Sequence, residues 1–249
     1  MLIRFIESIG GRTISSVMSI YDALTFFTIC LLHIANPYTY NSKMTNILVK
    51  QIYYTSVMII PYFIMIAFFF GTIIIGGVIT LASQYGVQIQ IGSVIVNFVM
   101  NEFAVLFTTL FIYLRSWTLI NKELTLINRD NKDDLIVNFV LPHIISNITS
   151  NVTLSILLTI IMISSGFIFT FFFMGMDFHT YKYLIFDAME MKNIVILLLK
   201  SITFGFVTMF IPIYSELKVS RKRIFVKIFM AIFFIEILFI LTQKAINAI

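Results

Sequence analysis

Glu102 and Lys200 are the side chains of this 249-residue protein best placed to do chemistry, because each is the only charge inside a long apolar run. The runs are Ile91–Leu114 and Asn193–Tyr214. A charge near the centre of a bilayer costs at least about 2.5–3.5 kcal/mol on insertion scales, so such a side chain turns toward a protein interior or a wet cavity. Glu102 lies 11 residues from the outer end of its run and Lys200 lies 7 from the outer end of its own. At about 1.5 Å of rise per residue, the depths are roughly 16 and 10 Å. Those depths allow a direct or water-bridged pair. Two roles fit. In a cavity, the ammonium would attract a phosphate and the carboxylate would balance it when the site is empty. Alternatively, the pair only fixes helix register. A third charge, Glu236, stands in the middle of the run Ile224–Thr242, near whose start lies Lys227. Glu236 reads as solitary, set against a partner helix or a packed neighbour.

Other chemistries lack their residues. No G-x-x-x-x-G-K-[ST] loop is present to cradle nucleotide phosphates, and no H-E-x-x-H or G-x-S-x-G motif occurs. His33, His143 and His179 are far apart in sequence, which argues against a histidine metal site. Cys30 is the single cysteine, so neither an intramolecular disulfide nor a cysteine-clustered metal site can form.

The elements that must position Glu102 and Lys200 follow from composition. The chain is 59% hydrophobic and 12% charged, with a mean hydropathy of +0.99. A soluble domain is about one quarter charged. The deficit excludes a soluble enzyme, a disordered chain and a free nucleic-acid binder, and it points to a polytopic all-α membrane protein. Five runs read as spans: Val57–Leu81, Ile91–Leu114, Ile144–Met176, Asn193–Tyr214 and Ile224–Thr242. The third exceeds one span, so it tilts or continues past the membrane. Pro61 and Pro212 should kink their spans, and Gly71, Gly76 and Gly77 permit close helix approach. Asn147-Ile148-Thr149 and Asn151-Val152-Thr153 match the glycosylation sequon. They sit at the start of a span and read as polar packing residues.

Before the first span, Met1–Ile14 carries Arg4 and Arg12 but no A-x-A cleavage site follows, so this segment is expected to stay in the mature protein. Over Ile14–Asn36 the residues Ser15, Ser19, Asp22, Thr25, His33 and Asn36 share one arc of a helix, with Ile20, Leu24, Phe27, Leu31 and Ile34 opposite. A helix lying in the membrane interface fits that stripe. A true span with one packed face is the alternative, and Pro37 ends the helix in either case.

With five spans and the N-terminus inside, 13 Lys and Arg fall on the cytoplasmic side and 3 outside, with Lys200 within a span. The net charge of +5 then reflects basic cytoplasmic loops. The mixed-charge insert Asn121–Val137 is expected to be helical in part, either as a solvated loop or as a docking helix for a cytoplasmic partner.

Taken in order along the chain, these features resemble the MlaE-type (YrbE-type) permeases of MCE-associated ABC lipid transporters. The start MLIRFIESIGGRTIS is similar to that family's interfacial segment, and Lys50-Gln51-Ile52-Tyr53 to its entry into the first span. Gly71 sits where a span glycine is expected. Asn101-Glu102-Phe103 aligns with the Arg-Glu-Leu of an R-E-L-G-P motif, Arg115 with the Arg of A-G-R, and Glu123 with the following A-E. Pro142 matches the Pro opening the third span, and Lys200-Ser201-Ile202-Thr203-Phe204-Gly205 is close to K-S-x-x-F-G. Asn101 replaces the motif's Arg, Ala104-Val105 replace its Gly-Pro, and Ser116-Trp117-Thr118 stand where glycines are usual.

The resemblance implies one permease domain over residues 1–249, with an interfacial segment to about 45, five spans, and a coupling segment at about 121–138. It implies a homodimer in the bacterial inner membrane, with its N-terminus cytoplasmic, enclosing an outward-facing cavity that holds phospholipid. Tyr85, Glu102 and Lys200 match the family's cavity-lining positions, Tyr85 from the resemblance alone. Arg115, Glu123, Arg129, Asp130, Lys132 and Asp133 fall where contact with an ABC ATPase is expected. The chain itself would be no enzyme and carry no cofactor. ATP and Mg would bind the partner ATPase, an MCE-domain hexamer would sit on the periplasmic side, and a small ATPase-associated subunit is a further partner the resemblance allows. The implied work is phospholipid transport between inner and outer membranes, and with it outer-membrane lipid asymmetry. Two rival readings are a stand-alone secondary transporter, which would usually show inverted repeats, and a non-transporting scaffold. A lipid-modifying enzyme would need clustered His, Asp or Ser at a membrane face, which the sequence lacks.

Overall fold

Apolar side chains with few charges leave the backbone no solvent partner in a bilayer, and a helix satisfies its own hydrogen bonds. The structure, a computed structural model, follows that rule. It describes the backbone of residues 18, 21–126, 135–217 and 224–247, and among these no residue is in a strand. Side chains are described for residues 18, 21–87, 91–116, 135–217 and 226–244.

A short apolar helix, α1 (Tyr21–Ala35), precedes five helices long and apolar enough to cross a membrane. These are α2 (Ser42–Tyr85), α3 (Ile91–Ser116), α4 (Ile136–Met174), α6 (Met191–Leu217) and α7 (Val226–Lys244). The short helix α5 (Phe178–Ile185) lies between α4 and α6. The five spans agree with the five apolar runs, but two begin eight or more residues earlier. α2 starts at Ser42 because the Asn41 side chain accepts a hydrogen bond from the Met44 amide at 2.8 Å, capping a helix that carries Lys43 and Lys50 ahead of the apolar stretch. α4 begins at Ile136, so at about 1.5 Å per residue its 39 residues extend well beyond a single bilayer core. The insert Asn121–Val137 is helical at both flanks, up to Leu126 and from Leu135. Its residues 127–134 lie outside the described residues, as do 1–17, 19–20 and 218–223.

The long helices are not uniform. Pro61 occupies the first turn of a segment that restarts after a 3-10 turn at Val57–Ile59, so it meets no preceding regular turn. Pro212 does lie inside α6. Wide π turns interrupt α2 at Thr72–Gly76 and α3 at Asn97–Phe103, and one opens α4 at Ile136–Val140.

α4 is the hub, packed against α2, α3 and α6. Between apolar helices in lipid there is little hydrophobic gain from pairing, so small residues and polar bonds carry the contact. Gly71 meets α4 so closely that a Cβ there would lie 2.0 Å from Ser165 Oγ and 2.5 Å from the Met162 carbonyl oxygen. Gly76 is pressed against the Phe169 ring in the same way, whereas Gly77 faces open space. The sequon asparagines are buried on α4 and bond its neighbours. Asn147 Nδ2 donates to the Gly205 carbonyl (2.6 Å) and the Thr208 hydroxyl (2.8 Å). Asn151 Nδ2 donates to the Ser201 carbonyl at 2.8 Å, and its amide also bonds the Thr109 hydroxyl. Ser56 and Ser150 join α2 to α4 through their hydroxyls. Asn147 and Asn151 thus act in packing, as their position in a span suggests.

α1 lies on the α6 surface through aromatic contacts of Phe26 with Phe210 and Tyr214, and of Phe27 with Phe206. Cys30 is fully buried there, and burial pushes its thiol up to about 12. Leu24, Leu31 and Leu32 point outward. The apolar side therefore faces the protein only in part, through Phe27 and Ile34. Phe26, Ile29 and Cys30 pack inward with Asp22 and His33 partly covered beside them. α7 packs mainly on α6, and few of its residues are buried.

The two kinds of glycine predict opposite responses. Gly71→Leu, which drives side-chain atoms into α4, should lower stability by about 1–3 kcal/mol or more. Gly77→Ala should be neutral or raise stability by up to about 1 kcal/mol through helix propensity. Thermal unfolding in mild detergent, read by size-exclusion of the surviving monodisperse protein, distinguishes the two.

Candidate functional site

The site forms where α3, α6 and α7 reach the same depth. Lys200 is fully buried. Its Nζ donates to Glu102 Oε2 at 2.9 Å, to Glu236 Oε1 at 2.8 Å and to the Asn101 carbonyl at 2.9 Å. An ammonium has three protons, and each has an acceptor. The Phe239 ring lies 5.7 Å from Nζ and closes the α7 side.

Local structure explains each partner. Asn101 and Glu102 belong to the π stretch of α3, where the wide turn lets a main-chain carbonyl face the neighbouring helix; π turns are frequent at functional sites. Lys200 opens the segment Lys200–Gly205, whose other members fix α6 in place. Ser201 and Phe204 are fully buried, the carbonyls of Ser201 and Gly205 accept from the α4 asparagines, and a Cβ on Gly205 would stand 2.8 Å from Ile148 Cα. The motif is thus the place where α6 is gripped from one side and offers its charge on the other.

Beside the cluster, a cavity of about 590 Å³ opens between the start of α3, the start of α6 and the end of α7. That volume lies within the range of ligand sites. Its wall includes Asn97, Asn101, Glu102, Glu190, Asn193 and Gln243. Glu102 is the member of the triad that faces it, with its side chain 26% exposed, whereas Lys200 is hidden behind. Asn101 Nδ2 donates to Asn97 Oδ1 and Asn193 Oδ1, both at 3.2 Å, tying α3 to α6 along the wall. Asn101 Oδ1 and Glu236 Oε2 are buried without a hydrogen-bond partner.

Of the residues expected from sequence, Glu102 and Lys200 come together as a direct ion pair. Tyr85 does not line this cavity. It ends α2 just before Gly86, whose φ of 71° terminates the helix, and it is 79% exposed. Arg115 lies partly buried near the far end of α3. Glu123 belongs to the helix that continues α3 to Leu126, with its side chain outside the described residues, and Arg129, Asp130, Lys132 and Asp133 lie outside them altogether. Glu236, read from sequence as solitary, is instead the second carboxylate on Lys200. The signal was available. Counted from the shared end of the spans, Glu102, Lys200 and Glu236 lie 11, 9 and 8 residues in, depths that agree to within about 5 Å. Glu102 balances Lys200, as the cavity reading expects, and Glu236 and the Asn101 carbonyl take the other two ammonium protons.

Removing one partner from a buried charge cluster costs about 3–5 kcal/mol, because the remaining charge is left uncompensated. Lys200→Met should therefore destabilise strongly, leaving two carboxylates face to face. The triple change Lys200→Met, Glu102→Gln, Glu236→Gln should recover most of the loss. Detergent thermal unfolding of both variants beside the parent checks this; equal melting of the single variant and the parent would mean that the cluster does not hold the helices.

Comparison with known proteins fits this architecture. A search of curated proteins returned no match. A family model described as Permease MlaE matches residues 48–241, which takes in all three members of the Lys200 cluster and more than half of the chain. The chain belongs to the MlaE permease family.

Proposed function

We propose that this chain is the membrane-spanning permease subunit of an ABC-type transporter that moves phospholipid, with the cavity beside Glu102 as part of the lipid path. The observation that carries the reading is the buried Lys200–Glu102–Glu236 cluster set behind a cavity in a member of this permease family. Charges held inside a membrane mark ligand or ion pathways. The requirements of a lipid agree with the surroundings. Acyl tails need apolar walls, and the exposed faces of α2, α4 and α7 are rich in Phe, Ile and Leu. A headgroup needs a few polar partners, which Asn97, Asn101, Glu102 and Asn193 supply.

Family membership supports the rest of the proposed assembly. The chain carries no phosphate-cradling loop, so energy would come from ATP hydrolysed on a separate cytoplasmic ATPase that docks on the segment between α3 and α4. Two copies of the chain would face one another to complete the lipid chamber. MCE-domain subunits would continue the path on the periplasmic side, between inner and outer membranes. The excess of Lys and Arg near the α1 end of the bundle supports a cytoplasmic N-terminus.

Reconstitution tests the reading. With its ATPase and MCE partners in vesicles, the complex should move a fluorescent phospholipid only when ATP is supplied. Glu102→Gln should slow that movement about tenfold or more while ATP hydrolysis persists, equivalent to about 1.4 kcal/mol of barrier. Movement driven by an ion gradient without ATP would favour a secondary transporter, and no movement under either condition would favour a scaffold.

A further inference from the structure

We propose that the cavity selects lipids whose headgroup carries a free ammonium, such as phosphatidylethanolamine, over lipids with a purely anionic headgroup. The inference rests on the reading of this cavity as a lipid site and specifies its chemistry.

The argument starts from charge. Among the described residues in and directly behind the cavity wall, the carboxylates are Glu102, Glu190 and Glu236, and the ammonium groups are Lys192 and Lys200, leaving a formal charge of minus one. The distribution matters more than the sum. Lys200 contributes no exposed surface and no free proton, since Glu102, Glu236 and the Asn101 carbonyl take all three. Glu102, in contrast, lines the cavity with a side chain that is 26% exposed. A ligand entering near the cluster meets the negative side of it.

Hydrogen-bond demand points the same way. Asn101 lines the cavity, is 3% exposed, and its Oδ1 has no donor. A buried acceptor without a donor carries a desolvation cost that a ligand donor would remove. Its own Nδ2 is committed to Asn97 and Asn193, which fixes the amide with Oδ1 as the available atom. Asn101 Oδ1 and the Glu102 carboxylate are adjacent in sequence on one π turn, and both suit an ammonium, which is a compact group with three donors. Gln243 Nε2, a buried donor without an acceptor on the α7 side of the cavity, suits the phosphate oxygen that neighbours such an ammonium. The wall thus complements a zwitterionic headgroup. A headgroup of phosphate and glycerol would bring negative charge to Glu102 and leave Asn101 Oδ1 to a weaker neutral donor.

The test uses the purified full chain exchanged with vesicles of equimolar phosphatidylethanolamine, its N-acylated derivative and phosphatidylglycerol with matched tails. Retained lipid is then counted by mass spectrometry. Phosphatidylethanolamine should be retained about fivefold over each of the other two, the scale expected of one partly solvated charge contact. Glu102→Gln should abolish the bias. Glu190→Gln, on an exposed position that leaves the Lys200 cluster intact, should reduce it and guards against misfolding of the first variant. Equal retention of the three lipids, or a bias unchanged in both variants, overturns the headgroup preference and leaves the lipid cavity standing. Retention of no lipid overturns the lipid cavity as well.

Discussion

An ammonium held out of water must be given anions and hydrogen-bond acceptors, and most of this fold can be understood from how Lys200 is supplied with them. Desolvating a charge costs several kcal/mol even after relaxation. Lys200 recovers that cost only because α3 and α7 bring Glu102 and Glu236 to its depth and the π turn of α3 turns the Asn101 carbonyl to it. That requirement fixes the relative height of three helices. It matters most for α7, which has little other packing and is joined to the bundle mainly along α6.

The cluster works only if α6 itself cannot slide. α4 supplies that constraint through side-chain amides: Asn147 and Asn151, one helical turn apart, reach carbonyls on the α6 segment that begins with Lys200. Gly205 lets the two backbones approach closely enough for those bonds. Polar contacts between helices in lipid are individually modest. Here they act with the glycine contacts to set one register, so the charged residue emerges at one height beside the cavity. The segment Lys200–Gly205 is therefore a unit in which packing on one face positions chemistry on the other.

Much of this was legible in the sequence because membranes simplify the code. Runs of about 20 apolar residues mark spans, and a lone charge within a run is costly enough to announce a partner, so Glu102 and Lys200 were identifiable as a pair. The packing role of the sequon asparagines followed from their place in a span. Glu236 reads as solitary from its own run, although its count from the shared end of the spans places it at the depth of the other two. α2 begins ahead of its apolar stretch because the Asn41 cap starts the helix at Ser42, a polar signal that hydropathy does not read. The π turns carry no apolar period of their own and left no sign. The stripe on α1 was visible, but which side faces protein depends on aromatic partners more than 170 residues away in sequence, which periodicity cannot reveal.

The cluster, the cavity and the family fit the proposed lipid permease, in which apolar helix faces would suit acyl tails and the polar cavity wall a headgroup. The most direct measurement is affinity purification of this protein from its native membranes in mild detergent, with mass spectrometry of everything retained. The account predicts co-purification of an ATPase bearing a phosphate-binding loop, an MCE-domain protein and bound phospholipid. Recovery of the chain alone, or only with itself and free of lipid, would contradict it.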